Sequence, residues 1–150
     1  SILSGGMSSR LFQNIREAHG VAYQIFSFIN LYRDTGSFGV YLATDPSKRE
    51  LAVELTFAEL EKMVQNPVSD AELEMVKAQY KSGIVMGDES MERRMMRLGR
   101  QQIYYGENIG LDKFLKKIEA IDVERIQVLA RELFNPNRFF TSILEPASTA

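Results

Sequence analysis

The sequence contains no cysteine and a single histidine, His19. The absence of cysteine excludes disulfides and thiolate metal sites, which fits a reducing compartment. A catalytic zinc ion needs three protein ligands and a serine hydrolase needs a histidine base, so one histidine disfavours both chemistries. We expect His19 to be an exposed turn residue beside Gly20 and not a metal ligand.

The chain also lacks a strong net charge, a long apolar run and any internal repeat. Its formal net charge of −2 and its pI near 5.5 give no overall positive field that would attract nucleic acid or an acidic membrane. No apolar stretch approaches the roughly 20 residues that span a bilayer. With 150 residues, of which 45% are hydrophobic and 25% charged, the sequence suits one domain with its own core.

The N-terminal segment predicts a glycine hinge and then a short helix. Gly5 and Gly6 free the backbone, and either Ser8 or Ser9 can cap the helix. The apolar residues that follow recur at helical spacing: Leu11, Phe12 and Ile15.

Gly20 is expected to end this helix, and a strand that carries Tyr23 follows. Arg16 on the helix and Tyr23 on the strand therefore stand on either side of a tight turn. From that position, both side chains can face one side of a cleft.

The rest of the chain predicts an ordered series of strands and helices. The predicted strands are 22–32, 38–44 and 138–144, and the predicted helices are 46–66, 70–86, 91–105, 111–120 and 123–134. Ser69 and Glu72 predict a capping box, Asp122 predicts an N-cap, and Gly106 predicts a left-handed helix end. This order indicates an α+β domain in which helices cover a largely antiparallel sheet of three strands. The tail from Pro146 is expected to be frayed.

The helix over 91–105 combines arginines with methionines. Arg93, Arg97 and Arg100 share one helical face, and Tyr104 and Tyr105 follow. Such a face fits either a nucleic-acid stripe with stacked bases or a solvated, chamber-lining surface. Acidic residues flank the run and the whole chain is slightly acidic, which favours the second interpretation.

Two motifs carry a resemblance to a known family: Gly-Gly-Met-Ser-Ser-Arg-Leu-Phe-Gln over 5–13 and Arg-Glu-Ala-His-Gly-Val-Ala-Tyr over 16–23. They resemble the second homologous domain of the pitrilysin/insulinase-type zinc peptidases, in the branch of the mitochondrial processing peptidases and their bacterial relatives. Further matching stretches are 34–36, 97–102 and 118–122. Ser4 and His19 depart from the family pattern, which has glycine and arginine there.

The resemblance implies a LuxS/processing-peptidase-like fold for residues 1–150. It implies a single domain, the inactive C-terminal domain of the peptidase, without its first strand and part of its first helix. A sheet that lacks a strand has an open edge. We therefore expect association, as a homo-oligomer, as a heterodimer, or with an N-terminal piece that covers this edge.

The resemblance also implies the site residues and the cofactor. The family's His-x-x-Glu-His motif is absent from this chain, so zinc is expected in the N-terminal domain of a parent protein. Arg16 and Tyr23 match the family's substrate-binding pair, and Tyr23 also matches a catalytic role in stabilising the oxyanion. The plainer alternative is that Arg16 pairs with Glu17 or a neighbour while Tyr23 is a half-buried strand aromatic.

The function implied is that of the substrate-binding, non-metal-binding C-terminal domain of a zinc metalloendopeptidase. Such an enzyme cleaves unfolded peptides or presequences in a closed chamber made of two halves, and this domain alone is expected to be inactive. The alternative is a catalytically dead structural subunit, related to processing peptidase partner subunits and bc1 core proteins. The expected location is the cytoplasm of a bacterium or the mitochondrial matrix of a eukaryote.

Overall fold

The computed structural model describes residues 1–145. The elements are the π-helix Phe12–Ala18, the strands β1 (Ala22–Leu31) and β2 (Gly36–Thr44), and the helices α1 (Arg49–Gln65), α2 (Asp70–Asp88), α3 (Met91–Tyr105), α4 (Leu111–Glu119) and α5 (Val123–Leu133). Short 3-10 turns at Pro46–Lys48 and Pro136–Arg138 precede α1 and follow α5. The predicted α+β class is confirmed.

Strands β1 and β2 form an antiparallel hairpin. The inner face of the hairpin packs against the hydrophobic core through Ile25, Phe38, Val40 and Leu42. On the outer face, Phe26 stacks on Tyr41 with 4.9 Å between ring centroids. The hairpin therefore has one covered face and one open aromatic face, as an antiparallel sheet allows.

The hydrophobic core lies between the π-helix, the inner face of the hairpin and helices α1 and α5. Leu11 and Ile15 are completely buried, and each contributes about 1.5–3 kcal/mol by leaving water. Helix α1 contributes Ala52, Leu60 and Met63 to this core, and Ala130 and Phe134 come from α5 and its C-terminal end. Because Leu11 and Ile15 hold the π-helix on this core, the opposite side of that helix faces solvent.

Helix α2 packs against α3 and α4. Lys77 donates from Nζ to the backbone carbonyl of Glu119 at 3.1 Å, which ties α2 to the end of α4. Arg97 pairs with Asp88 at 2.7 Å and fixes the corner between α2 and α3. No helix within residues 1–145 is both long and apolar enough to cross a membrane.

Most predicted helix ends are confirmed. The Ser69 hydroxyl accepts from the backbone N–H of Glu72 at 3.1 Å, and the Asp122 carboxylate accepts from the N–H of Arg125 at 2.8 Å. Gly106 ends α3 with a left-handed φ of 71°, a conformation that glycine adopts at little cost.

The prediction that Ser8 or Ser9 caps the first helix is wrong. Arg10 and Leu11 form a short helical turn before the π-helix, and Ser9 precedes this turn, with its carbonyl accepting from the N–H of Gln13 at 2.9 Å. No side chain caps the π-helix at Leu11. The buried Ser9 hydroxyl instead donates to the carbonyl of Gly6 at 2.6 Å. Burial requires a partner for this hydroxyl, and the Gly6 carbonyl is the acceptor within reach.

The carboxylate of the predicted capping box at the start of α2 has a second, distant partner. Both Glu72 oxygens accept from the Arg10 guanidinium, at 2.9 and 2.7 Å, and hydrogen bonding from the Ser69 backbone also contributes to lowering the pKa of the Glu72 carboxyl. A bidentate, charge-assisted pair is stronger than one bond to a backbone N–H.

The predicted strand over 138–144 is also wrong. Residues 139–145 form neither helix nor strand, and the sheet within residues 1–145 has two strands where three were expected. Phe139 packs edge-on against Phe57 of α1, with ring centroids 5.4 Å apart, and Arg49 pairs with Glu145. The segment therefore follows α1, where it has no strand to pair with. The tail from Pro146 lies outside the described residues.

Candidate functional site

A turn with several hydrogen bonds joins the π-helix to β1. Gly20 has a left-handed φ of 57°, and its N–H donates to the carbonyl of Arg16 at 3.1 Å. Val21 donates from its N–H to the carbonyl of Ile15 at 3.1 Å, and the Val21 carbonyl accepts from the Thr44 hydroxyl at 2.5 Å. These bonds fix the backbone on both sides of Gly20.

Arg16 lies on the exposed side of the π-helix, next to the buried Ile15. Its guanidinium carbon is 4.9 Å from the centroid of the Phe12 ring, a distance at which the ring attracts a cation. Within residues 1–145, Arg16 forms no ion pair. The alternative in which Arg16 pairs with Glu17 is therefore not seen.

Tyr23 lies at a β-bulge. Ala22 pairs with Thr44 and Gln24 pairs with Ala43, so Tyr23 is the extra residue of β1 at this register shift. The side chain of Tyr23 is 68% exposed, whereas Ala22 beside it is 6% exposed. The interpretation of Tyr23 as a half-buried aromatic is thus wrong, because the bulge releases it from the alternation of the strand.

The π-helix is held to α1 by a buried carboxylate. Asn14 donates from its side chain to Glu59, which is 4% exposed. Lys62 also donates to Glu59, at 2.6 Å. These polar contacts fix the π-helix, and therefore Arg16, relative to α1.

His19 is exposed, as the sequence predicts, and its Nδ1 is 2.6 Å from the carbonyl of Asn14. No group of three His, Asp or Glu side chains within residues 1–145 is arranged to hold a metal ion. The donors in the described part of the chain therefore do not fit a zinc site. Around Gly20, the exposed groups that can hydrogen-bond to a ligand include the guanidinium of Arg16 and the phenol of Tyr23.

A separate cavity of about 320 Å³ lies between the N-terminal segment and α2. Gly5, Gln79, Tyr80 and Ile84 are among the residues that line it, and neither Arg16 nor Tyr23 does. Arg16 and Tyr23 are both exposed.

Comparison with known proteins defines the family. The model described as the peptidase M16 inactive domain matches residues 1–80. An uncharacterized zinc protease of Mycobacterium bovis is 35% identical over 144 residues, which cover 96% of this chain and 33% of that protein. The chain belongs to the peptidase M16 inactive-domain family. The resemblance read from the motifs is confirmed.

A second relative of this M16 inactive domain is also described as a zinc protease. An uncharacterized zinc protease of Bacillus subtilis is 31% identical over 147 residues, which cover 98% of the chain and 36% of that protein. The chain thus spans about a third of the length of the curated relatives it matches.

Solved structures show the same fold for the M16 inactive domain. A peptidase M16 inactive domain from Pseudomonas fluorescens superposes with a TM-score of 0.79 and 23% identity, over 89% of this chain and 32% of that one. A chain of Complex III2 from Candida albicans superposes with a TM-score of 0.72 and 19% identity, over 88% and 31%. Because both sequence identities are low, these superpositions show a shared fold and nothing more.

Sequence reasoning missed two features of the surface around Gly20. The contact between Phe12 and Arg16 could have been predicted from the sequence, because residues four apart on a helix are neighbours. The bulge at Tyr23 could not be predicted, because the register of β1 is set by its pairing with β2 and not by the sequence of β1 alone.

Proposed function

We propose that this M16 inactive domain binds the peptide substrate of a zinc endopeptidase through Arg16 and Tyr23. The zinc ion belongs to an N-terminal domain of the parent protein or to a partner subunit. Unfolded peptides or presequences are the substrates, because a closed chamber of two halves admits a flexible chain and excludes a folded one.

One observation carries the proposal. Two backbone irregularities fall at the two candidate residues: the π-helix at Arg16 and the β-bulge at Tyr23. π-Helices are rare and occur frequently at functional sites, and bulges re-aim side chains beside active sites. The two irregularities lie on either side of the turn at Gly20, and both candidate side chains are exposed.

The two side chains supply complementary hydrogen bonds to a peptide. The Arg16 guanidinium offers forked donors to carbonyl oxygens, each such bond contributing about 1.5–3 kcal/mol. The Tyr23 hydroxyl donates to the oxyanion that develops when water attacks the scissile bond. Loss of one such donor typically lowers the rate by about 10²–10³.

The second candidate function is that of a catalytically dead structural subunit. The similarity to a chain of Complex III2 is compatible with it. A structural subunit has no need for an exposed phenol at a bulge, so the peptide-binding role is the better supported of the two.

The test uses the zinc-bearing parent protein and a fluorogenic peptide. Tyr23→Phe is expected to lower kcat by about 10²–10³ with little change in KM. Arg16→Ala is expected to raise KM by about tenfold or more, since it removes charge-assisted bonds made in the ground state.

The matched controls are Tyr32→Phe and Arg33→Ala, at exposed positions of the hairpin turn. Both are expected to leave kcat and KM unchanged. Small and equal effects at Arg16, Tyr23 and the two control positions would reject the proposed roles. A parent that hydrolyses no peptide when saturated with zinc would support the structural alternative.

A further inference from the structure

The outward face of α3 carries an exposed apolar patch. The Gly99 surface consists of Met95, Met96, Gly99 and Ile103, which are neighbours at helical spacing. Met95 is 63% exposed, Met96 49% and Ile103 81%. Exposed apolar groups gathered in this way mark an interaction site more often than isolated ones do.

Gly99 has no steric role within the described chain. It lies inside a regular helix, and apart from its two chain neighbours and the adjacent backbone of the same helix, no atom is within 4 Å of the place where a Cβ would be. Glycine in a helix interior costs about 1 kcal/mol relative to alanine. The absent side chain leaves a notch between the methionines and Ile103, which lets another backbone approach closely.

The flanks of this surface are positively charged. Arg93, Arg94 and Arg100 have no carboxylate within 4.0 Å among residues 1–145, whereas Arg97 is paired with Asp88. Helical spacing places Arg93 and Arg100 along one flank of the notch. These guanidiniums are available to carboxylates of a partner.

We infer that the Gly99 surface docks an amphipathic helix of another protein domain, with an apolar stripe and an acidic flank. The stripe fills the notch at Gly99, the flexible methionines adapt to its side chains, and the carboxylates pair with Arg93 and Arg100. The surface lies on α3, so docking there does not depend on the peptide-binding role of Arg16 and Tyr23.

The charges argue against two other occupants. A second copy of α3 brings one exposed carboxylate, Glu92, to meet three free guanidiniums, so positive charge stays uncompensated. A nucleic acid pairs with the arginines but has no apolar stripe to cover Met95, Met96 and Ile103.

The test measures fluorescence anisotropy of labelled synthetic helices mixed with the 150-residue chain. One probe of about 20 residues carries leucine at positions i, i+3, i+4 and i+7 with glutamate on its flanks, and a second replaces every glutamate with lysine. The glutamate probe is expected to bind at least about tenfold more tightly, because the partner charges are then complementary. Gly99→Leu and Arg93→Glu are each expected to weaken this binding at least about fivefold.

The matched controls are Gly83→Leu in α2, another helical glycine with open space around it, and Lys113→Glu in α4. Both are expected to leave binding unchanged, and circular dichroism checks that every variant is folded. Equal binding of the two probes, or equal loss in the control variants, would overturn the inference. So would dimerisation in sedimentation equilibrium that Gly99→Leu abolishes, or salt-sensitive binding of an oligonucleotide that Arg93→Glu abolishes.

Discussion

Each candidate site residue follows a buried neighbour along the chain. Arg16 follows Ile15, which is completely buried, and Tyr23 follows Ala22, which is 6% exposed. The buried neighbours fix the backbone while the polar side chains remain in solvent. Exposed side chains on a fixed backbone form a preorganised surface, because little conformational entropy of the backbone is then lost when a ligand binds.

The contact between Phe12 and Arg16 gives the first prediction at this scale. Phe12→Ala removes the ring over which the guanidinium lies, and a cation–π contact at an exposed site contributes about 0.5–1 kcal/mol. In the zinc-bearing parent, KM for a peptide is expected to rise about two- to fivefold with kcat nearly constant. Phe12→Tyr keeps an aromatic face and is expected to retain the wild-type KM. A fall in kcat alone for Phe12→Ala would contradict the role of Phe12 in positioning the Arg16 guanidinium.

Individual residues differ in how far the sequence could predict them. Arg16 and Tyr23 are predicted as site residues by a motif, because both lie within one short segment about Gly20. The Arg10 partner of Glu72 could not be predicted by local rules, because Arg10 is distant in the sequence and meets Glu72 only in the folded chain.

At the scale of elements, the turn at Gly20 sets the geometry between the π-helix and β1. Its φ of 57° is left-handed, and apart from its two chain neighbours no atom is within 4 Å of the place where a Cβ would be, so a substitution tests backbone strain alone. Gly20→Ala is expected to lower the free energy of unfolding by about 1 kcal/mol. Urea denaturation measures this change.

The control for the turn is Gly83→Ala, in the interior of α2 and also in open space. This change is expected to raise the free energy of unfolding by up to about 1 kcal/mol, because alanine is the better helix former. Changes of the same sign at the two glycines would show that Gly20 does not need its left-handed backbone.

The junction between the N-terminal segment and α2 predicts a dependence on pH. Hydrogen bonds from Arg10 lower the pKa of the Glu72 carboxyl, against the opposing effect of its partial burial. The ion pair therefore stabilises the fold fully above the unfolded-state pKa of about 4.3, and this contribution is lost as the pH falls through the lower folded-state pKa.

Glu72→Gln is accordingly expected to lower the free energy of unfolding at pH 7 by about 1–2 kcal/mol, since the pair is bidentate but partly exposed. The difference from wild type is expected to shrink as the pH falls below about 4. Urea titrations at several pH values measure it, with the exposed Glu54→Gln as the control. A difference that stays constant down to pH 2 would show that the charge of Glu72 does not stabilise the fold.

The helices were the most predictable elements. Caps at Ser69 and Asp122 and the glycine at 106 are local signals, so the ends of α2, α3 and α5 fell within a few residues of their predicted places. The strand predicted over 138–144 failed because a strand needs a neighbour, and its composition gave no information on whether one lies beside it.

At the scale of the whole molecule, the described chain leaves several apolar surfaces open. Phe140 is 90% exposed and Leu144 is completely exposed, in addition to the outer face of the hairpin and the Gly99 surface. Exposed patches of this kind are typical of surfaces that other domains cover. The curated relatives are about three times as long as this chain. Those proteins therefore contain additional residues that are available to cover such surfaces.

The most direct test of the substrate-binding role is a crystal structure of the zinc-bearing parent, inactivated at its catalytic base, with a peptide bound. The guanidinium of Arg16 and the hydroxyl of Tyr23 are both expected within about 3.2 Å of polar atoms of that peptide, next to its scissile bond. A peptide bound at the zinc ion while both side chains point into solvent would contradict the account.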